Sequence, residues 1–330
     1  MRAATTSYDE QAITLEAKVS FLHSPEAYPD RPARIEAIET HMSWVFLTDH
    51  YAYKLKKPVR RSFLDFSTID ARHRNCMEEV RLNRRLAPRI YLGVVPLTID
   101  PAGRMHLNGD GTPIDWLVHM LRLPAERMMD ALIRAGTLQP EDARPAATLL
   151  ARFYHEATSH QHSLLSPHAY HHRFARDIRT NLRTFLKPEF DLPRDRITRL
   201  TRAQYAMLDH LGPNLAERIL RGFIIEGHGD LRPEHICLTT PQPAIIDCLE
   251  FNRDLRLLDP VDELAFLALE IHRLGSRRDI SDIFMSEYRS ATSDHPPEEL
   301  IRFYQSIRAS IRARLALWHI RDTPAARAAW

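Results

Sequence analysis

The sequence predicts an α+β protein in two parts, strand-rich over residues 1–123 and mainly helical over 124–330. Runs of aromatic and β-branched residues bounded by turn residues crowd the first third. Apolar residues at helical spacing dominate after Pro124. The change falls within the segment Met120 to Pro124.

The elements follow in order. "WVFLTDHYAYKLKKPV" (44–59) reads as two strands joined at Thr48-Asp49-His50. "TIDARHRNCMEEVRLNRRLAP" (68–88) reads as a helix, with Ile69, Cys76, Val80 and Leu86 among its apolar positions and Pro88 closing it. "IYLGVVPLTID" and "IDWLVHMLRLP" are strands around the turn "NGDGTP". "PEDARPAATLLARFYHEA" is a helix with Pro145 near its start. Leu300, Tyr304, Ile307, Ile311, Leu315 and Trp318 draw one apolar stripe along a last helix.

Composition removes several function classes. The chain has 330 residues, 44% hydrophobic and 27% charged, as in ordinary globular proteins. Lys and Arg total 45 against 43 acids, a net charge of +2, which argues against a nucleic-acid partner. No apolar run approaches the roughly 18 residues of a membrane span. The start "MRAATTSYDE" lacks the apolar core of a secretory signal. Cys76, Cys237 and Cys248 stand in no metal-ligand spacing and read as reduced thiols of a cytoplasmic protein. The 10 glycines all lie at or after Gly93 and none precedes a lysine, so neither a Walker A loop nor a dinucleotide fingerprint is present.

Chemistry concentrates in a few places. Lys54 and Lys56 lie two apart on a strand and share a face, as candidate phosphate contacts or as an edge that discourages aggregation. Glu78 and Glu79, on the next helix, are acids within reach of such a lysine or are simply solvated. In "HGDLRPEHI" (228–236), Gly229 and Pro233 favour a fixed loop around Asp230, whose carboxylate can accept a hydroxyl proton. "ICLTTPQPAIID" reads as a hairpin ending at Asp247, bringing His235 and Asp247 near each other, where a divalent ion could bridge them.

These residues resemble the aminoglycoside phosphotransferase family, whose fold is that of the protein kinases. "HGDLRPEHI", "AIIDCLEF" and a following Asp-Pro carry the likeness, with Asp247 17 residues after Asp230. It extends through "YKLKKPV", "FLDFST", "EEVRLNRRLAPRIYLGVVPL" and "RLPAERMMDALI", over nearly the whole chain. These stretches look like a bacterial branch often fused to a nucleotide-binding domain that this sequence lacks.

The resemblance implies a two-lobed kinase-like phosphotransferase with ATP between the lobes. It would move the γ-phosphoryl to a hydroxyl of an unidentified small molecule or protein. Asp230 would be the catalytic base and Asp247 the magnesium ligand. Lys54 would contact the α- and β-phosphates and be held by Glu79, with Lys56 and Glu78 as alternatives. Met120, Leu121 and Arg122 would form the adenine hinge. "ETHMS" (39–43) replaces the family's glycine-rich loop, and its hydroxyls, Ser43 included, would cover phosphates. His228 would orient the loop.

His235 stands where the family usually has Asn. It would bind the metal, shifting preference toward manganese, or brace Asp230, or mark a dead site. The last case is the alternative function, a nucleotide-binding pseudokinase acting through a partner. Asp259-Pro260 reads as a helix N-cap, a reading compatible with the family's acidic motif bracing the catalytic loop.

Two further signals have ordinary explanations. Six histidines (155, 160, 162, 168, 171, 172) are irregularly spaced without a carboxylate or cysteine set, so they do not read as a metal site. Arg302, Arg308, Arg312 and Arg314 read as a solvated helix face.

Overall fold

The structure is a computed structural model that describes residues 13–61, 64–159 and 165–322. It divides into two compact units. One runs through Ala125 and takes in Ala244–Asn252; the other comprises Glu126–Pro243 and the chain from Arg253 onward.

The first unit is built on an antiparallel sheet of six strands. In chain order these are β1 (Glu36–Glu39), β2 (Ser43–Leu47), β3 (Tyr51–Lys56), β6 (Tyr91–Ile99), β7 (Met105–Leu107) and β8 (Thr112–Leu121). The spatial order is β1-β2-β3-β8-β6-β7. A ribbon of β4 (Arg60–Arg61) and β5 (Leu64–Asp65) stands apart from it. Helices α1 (Leu15–Leu22) and α2 (Ile69–Asn83) complete the unit. Alternation does the work of burial: Tyr53 and Leu55 are buried with Phe46, Leu97 and Leu117 in one apolar cluster that also takes Leu22 and Tyr28.

The β2–β3 pair and its turn follow the sequence pattern, with Val45 opposite Lys54. The β6–β8 connection holds an extra short strand, β7, that the pattern did not separate. The turn after it requires glycine, because a Cβ on Gly111 would lie 2.2 Å from the Ile99 carbonyl oxygen. Thr68 caps α2 by accepting from the Ala71 N–H. The helix ends at Asn83, before Pro88: Asn83 Nδ2 turns back to the Glu79 carbonyl, and the Leu86 and Ala87 N–H groups close on the Asn83 carbonyl.

The second unit is helical. Its helices are α3 (Met129–Arg134), α4 (Pro140–Ser159), α5 (Pro167–Phe185), α6 (Arg194–His210), α7 (Gly212–Leu220), α8 (Pro260–Gly275), α9 (Arg278–Thr292) and α10 (Glu298–Asp322). Pro145 is accommodated in the second turn of α4. The face Ala143, Ala146, Ala147, Leu150 and Tyr154 is buried, its small residues letting α9 approach closely. α8 is buried nearly all round and forms the core of the unit.

On α10 the apolar stripe is buried at Leu300, Tyr304 and Ile307, whereas Leu315 is exposed. Its arginines depart from a solvated face. Arg302 is exposed, but Arg308 pairs with buried Asp262 and Arg312 with buried Glu270. Arg314 packs over Trp318. Arg308 lies over the Phe266 ring of α8 while its head meets Asp262, so part of the arginine side is packed rather than solvated.

Cys76, Cys237 and Cys248 are buried and form no disulfide. No described helix is long and apolar enough to cross a membrane.

Candidate functional site

In the first unit, Lys54, Lys56, Glu79 and Asp247 converge. Lys54 Nζ lies 3.0 Å from Glu79 Oε1 and 2.8 Å from Asp247 Oδ1. Lys56 Nζ lies 2.5 Å from Glu79 Oε2 and 2.6 Å from Glu250 Oε1. The two lysines project from one face of β3, and Glu79, on the buried side of α2, gives one oxygen to each. The choice between Lys54 and Lys56 is thus not exclusive. They differ in exposure: the Lys54 side chain is 16% exposed and that of Lys56 is 0%. Glu78 is elsewhere, on the surface with Arg81.

Electrostatics keep the cluster ionised. Burial works against the Lys54 ammonium, but Asp247, Glu79 and Glu250 more than offset it and hold its pKa well above the usual lysine value. Burial likewise opposes the Glu79 carboxylate, and Lys54 and Lys56 outweigh it, leaving its pKa below the ordinary range.

Asp247 is locked by its backbone. Its φ of 63° lies in the left-handed region, unusual for a residue with a side chain. Its N–H donates to Tyr91 Oη, and the next N–H, of Cys248, donates to Asn83 Oδ1. The carboxylate is 44% exposed. Glu250, Tyr91 and Asn83 were not singled out in the sequence; Glu250 alone had a signal, an acid three residues after Asp247.

The other predicted residues of this unit have definite places. Ser43 is buried at the start of β2, opposite Lys56, and its N–H and carbonyl close the 40–43 turn with Thr40. Met120 and Leu121 end β8 beside Ala52 and Tyr51. The Leu121 N–H donates to the Ile90 carbonyl and the Arg122 N–H to that of His50. The Arg122 guanidinium holds the Thr48 carbonyl and Glu36.

In the second unit, Asp230 sits in a loop braced from several sides. Gly229 has a φ of 87°, and its N–H donates to buried Glu263, which also accepts from Tyr154 Oη at 2.9 Å. Gly227 passes so close to Glu263 that a Cβ there would lie 2.7 Å from its Oε2. Burial pushes the Glu263 carboxyl pKa up, against those hydrogen bonds. Asp259 does cap α8, accepting from the Val261 N–H, and it pairs with buried Arg218. The contact with the Asp230 loop is made one turn later, by Glu263.

His228 is fully buried, and its Nδ1 accepts from the Asp230 N–H at 3.3 Å. His235 Nδ1 lies 2.8 Å from the Asp230 carbonyl oxygen, and its Nε2 lies 3.1 Å from Arg232. With a donor on one side and an acceptor on the other, the ring is the Nδ1–H tautomer. The Asp230 carboxylate is 37% exposed and 3.2 Å from Arg232. Arg232, two residues from Asp230, is a further residue the sequence reading passed over.

His160 and His162 lie outside the described residues. Among the described residues no three His, Cys, Asp or Glu side chains gather as a metal cage. Magnesium seldom needs one: it takes one or two carboxylates and completes its shell with phosphate oxygens and water. Asp247, half-exposed and offering hard oxygen donors, fits that demand.

No protein-family model matches the chain. Among solved structures it superposes on a choline/ethanolamine kinase family protein from Mesorhizobium loti with a TM-score of 0.55. That match covers 93% of this chain and 88% of the other at 15% identity. It also superposes on glucosamine kinase with a TM-score of 0.51, covering 90% and 73% at 13% identity. The chain has the protein-kinase-like fold. This is the fold expected from the resemblance, with strands in its first part and helices in the second. A further glucosamine kinase structure, in complex with glucosamine, ADP and inorganic phosphate, matches the kinase-like chain with a TM-score of 0.50, covering 90% and 75% at 14% identity.

In sequence, uncharacterized proteins of Mycobacterium tuberculosis and Mycobacterium bovis are 36% identical over 295 residues, 88% of this chain. The chain spans 56% of the length of these relatives.

Proposed function

We propose that the protein is an ATP-dependent phosphotransferase that moves the γ-phosphoryl of ATP to a hydroxyl of a small molecule or protein. The observation that carries this is the meeting of Lys54, Glu79 and Asp247, three residues scattered through the sequence, in one charged cluster of a kinase-like fold. The ADP-bound glucosamine kinase among the structural neighbours supports nucleotide use.

Each side chain then has a role. Lys54 binds phosphate oxygens as a point charge, and Glu79 orients it. Asp247 holds a magnesium ion, with manganese as the alternative, and the bound ion would neutralise charge on the phosphates. Met120, Leu121 and Arg122 would carry the adenine, and the 40–43 turn that Ser43 closes would cover the phosphates. Asp230 accepts the proton of the acceptor hydroxyl as its oxygen bonds to phosphorus and the bond to ADP breaks. Of the roles open to His235, the brace has the stronger support, because both ring nitrogens are engaged inside the Asp230 loop. Three buried cysteines in thiol form support a reducing, cytoplasmic setting.

The test is transfer of labelled phosphate from ATP into a metabolite extract and into protein, with wild type and Asp230→Asn. Transfer by wild type and its loss in the variant, with ATP still bound, is the expected result. ATP binding without transfer, under any metal, would instead make the chain a nucleotide-binding pseudokinase.

A further inference from the structure

The phosphate lysine needs one carboxylate partner, yet this cluster holds a second lysine and a second glutamate. Lys56 is 0% exposed, pinned between Glu79 Oε2 and Glu250 Oε1, with its ammonium 5.3 Å from the centre of the Phe66 ring. Glu250 is 9% exposed at its side chain. Neither group faces solvent enough to meet a ligand directly.

Their placement has a consequence for Asp247. Ala244–Asn252 belongs to the first unit although 118 residues of the second, Glu126–Pro243, precede it. Two kinds of contact hold the segment there. At its centre the Asp247 and Cys248 N–H groups are taken by Tyr91 and Asn83. At Glu250 it is tied by an ion pair to the same strand that carries Lys54. The separation of Asp247 and Glu250 is only three residues, so fixing one end restricts the other.

Charge makes the pair specific. Glu79 is fully buried and the Glu250 side chain is nearly so, and a buried carboxylate without a cation is costly. Lys56 compensates both. In doing so it draws one oxygen of Glu79 toward itself and leaves the other for Lys54. Without Lys56, both oxygens of Glu79 would compete for Lys54, which Asp247 also holds.

We infer that Lys56 and Glu250 form a positioning pair that sets where the Asp247 carboxylate stands, and so tunes use of the divalent cation without touching nucleotide. This rests on the phosphotransferase reading, in which Asp247 is the cation ligand. The pair acts one layer behind the ligand, as the outer-shell partners of metal ligands do.

The test measures ATP affinity by calorimetry without divalent cation and with magnesium, and takes the ratio of the affinity with magnesium to that without it. Failure of wild type to bind ATP in either condition would overturn the phosphotransferase reading itself, before any variant is made. Given binding, Glu250→Ala should lower the ratio about tenfold or more, the usual cost of losing an outer-shell partner, while the magnesium-free affinity stays within about twofold. Glu250→Gln keeps an oxygen acceptor for Lys56 and should recover most of the ratio; it also serves if the alanine variant does not fold. An unchanged ratio in both variants would overturn the inference. So would an equal loss of affinity with and without magnesium, which would mark the pair as general support.

Discussion

Lys54 and Glu79 show how a single side chain acquires its meaning from its surroundings. Glu79 is fully buried, and two ammonium groups stabilise it there. Replacing it with alanine leaves those cations with one carboxylate fewer, and breaking a buried pair by removing one partner costs about 3–5 kcal/mol. Glu79→Ala should therefore lower the urea midpoint markedly, whereas Glu78→Ala, at the surface, should leave it nearly unchanged. Lys54→Ala should abolish most of the rise in melting temperature produced by ATP and magnesium, since that rise reflects ligand binding to the native state. A full shift retained in Lys54→Ala but lost in Lys56→Ala would reverse the roles assigned to the two lysines.

Elements transmit these constraints. α8 begins with its Asp259 cap and one turn later offers Glu263 to the Asp230 loop, so the helix sets the position of the loop. The close passage of Gly227 over Glu263 leaves no room for a methyl group. Gly227→Ala should displace Glu263 and lower turnover by more than it lowers ATP affinity, read from kcat against Kd. On α10, the contrast between two arginines is equally direct. Arg308 is 13% exposed at its side chain and neutralises Asp262, so Arg308→Ala should cost about 3–5 kcal/mol by leaving a buried acid unpaired. Arg302, exposed beside Glu298, should cost within about 0.5 kcal/mol when changed to alanine. Equal effects in denaturant melts would contradict the burial seen for Arg308.

At the scale of the whole molecule, both units carry acids whose pKa is depressed in the folded state. Glu79 is held down by the two lysines against burial, and Asp294 by Arg218, also against burial. A carboxyl with a lowered folded pKa contributes stability fully above its unfolded value. That contribution is lost as pH falls through the folded one. The ordinary values are 4.5 for Glu79 and 3.8 for Asp294, so the loss begins below about pH 5 and deepens under pH 4. Melting temperature measured from pH 7 to pH 3 should fall in this window, and less steeply in Glu79→Gln. A profile in the variant parallel to wild type would remove Glu79 from the account.

Local chemistry alone determined much of this protein. Alternation and turn residues mark β2, β3, β6 and β8, while three-and-four spacing marks α2, α4 and α10, because those periods are properties of the backbone. The Asp230 loop was legible because glycine and proline restrict its backbone, and Asp259-Pro260 because a cap acts on its own helix. Tertiary structure decided what depends on distant partners. Lys54 and Asp247 stand 193 residues apart, and no periodicity connects them; without the family likeness their meeting would not have been expected. Whether an arginine of α10 is solvated depends on whether α8 sets an acid against it. Lys56 looked like a spare for Lys54, and packing made it a buried cation shared by Glu79 and Glu250. Short-range patterns record the backbone's own preferences, but a buried charge is explained only by the groups that folding brings around it.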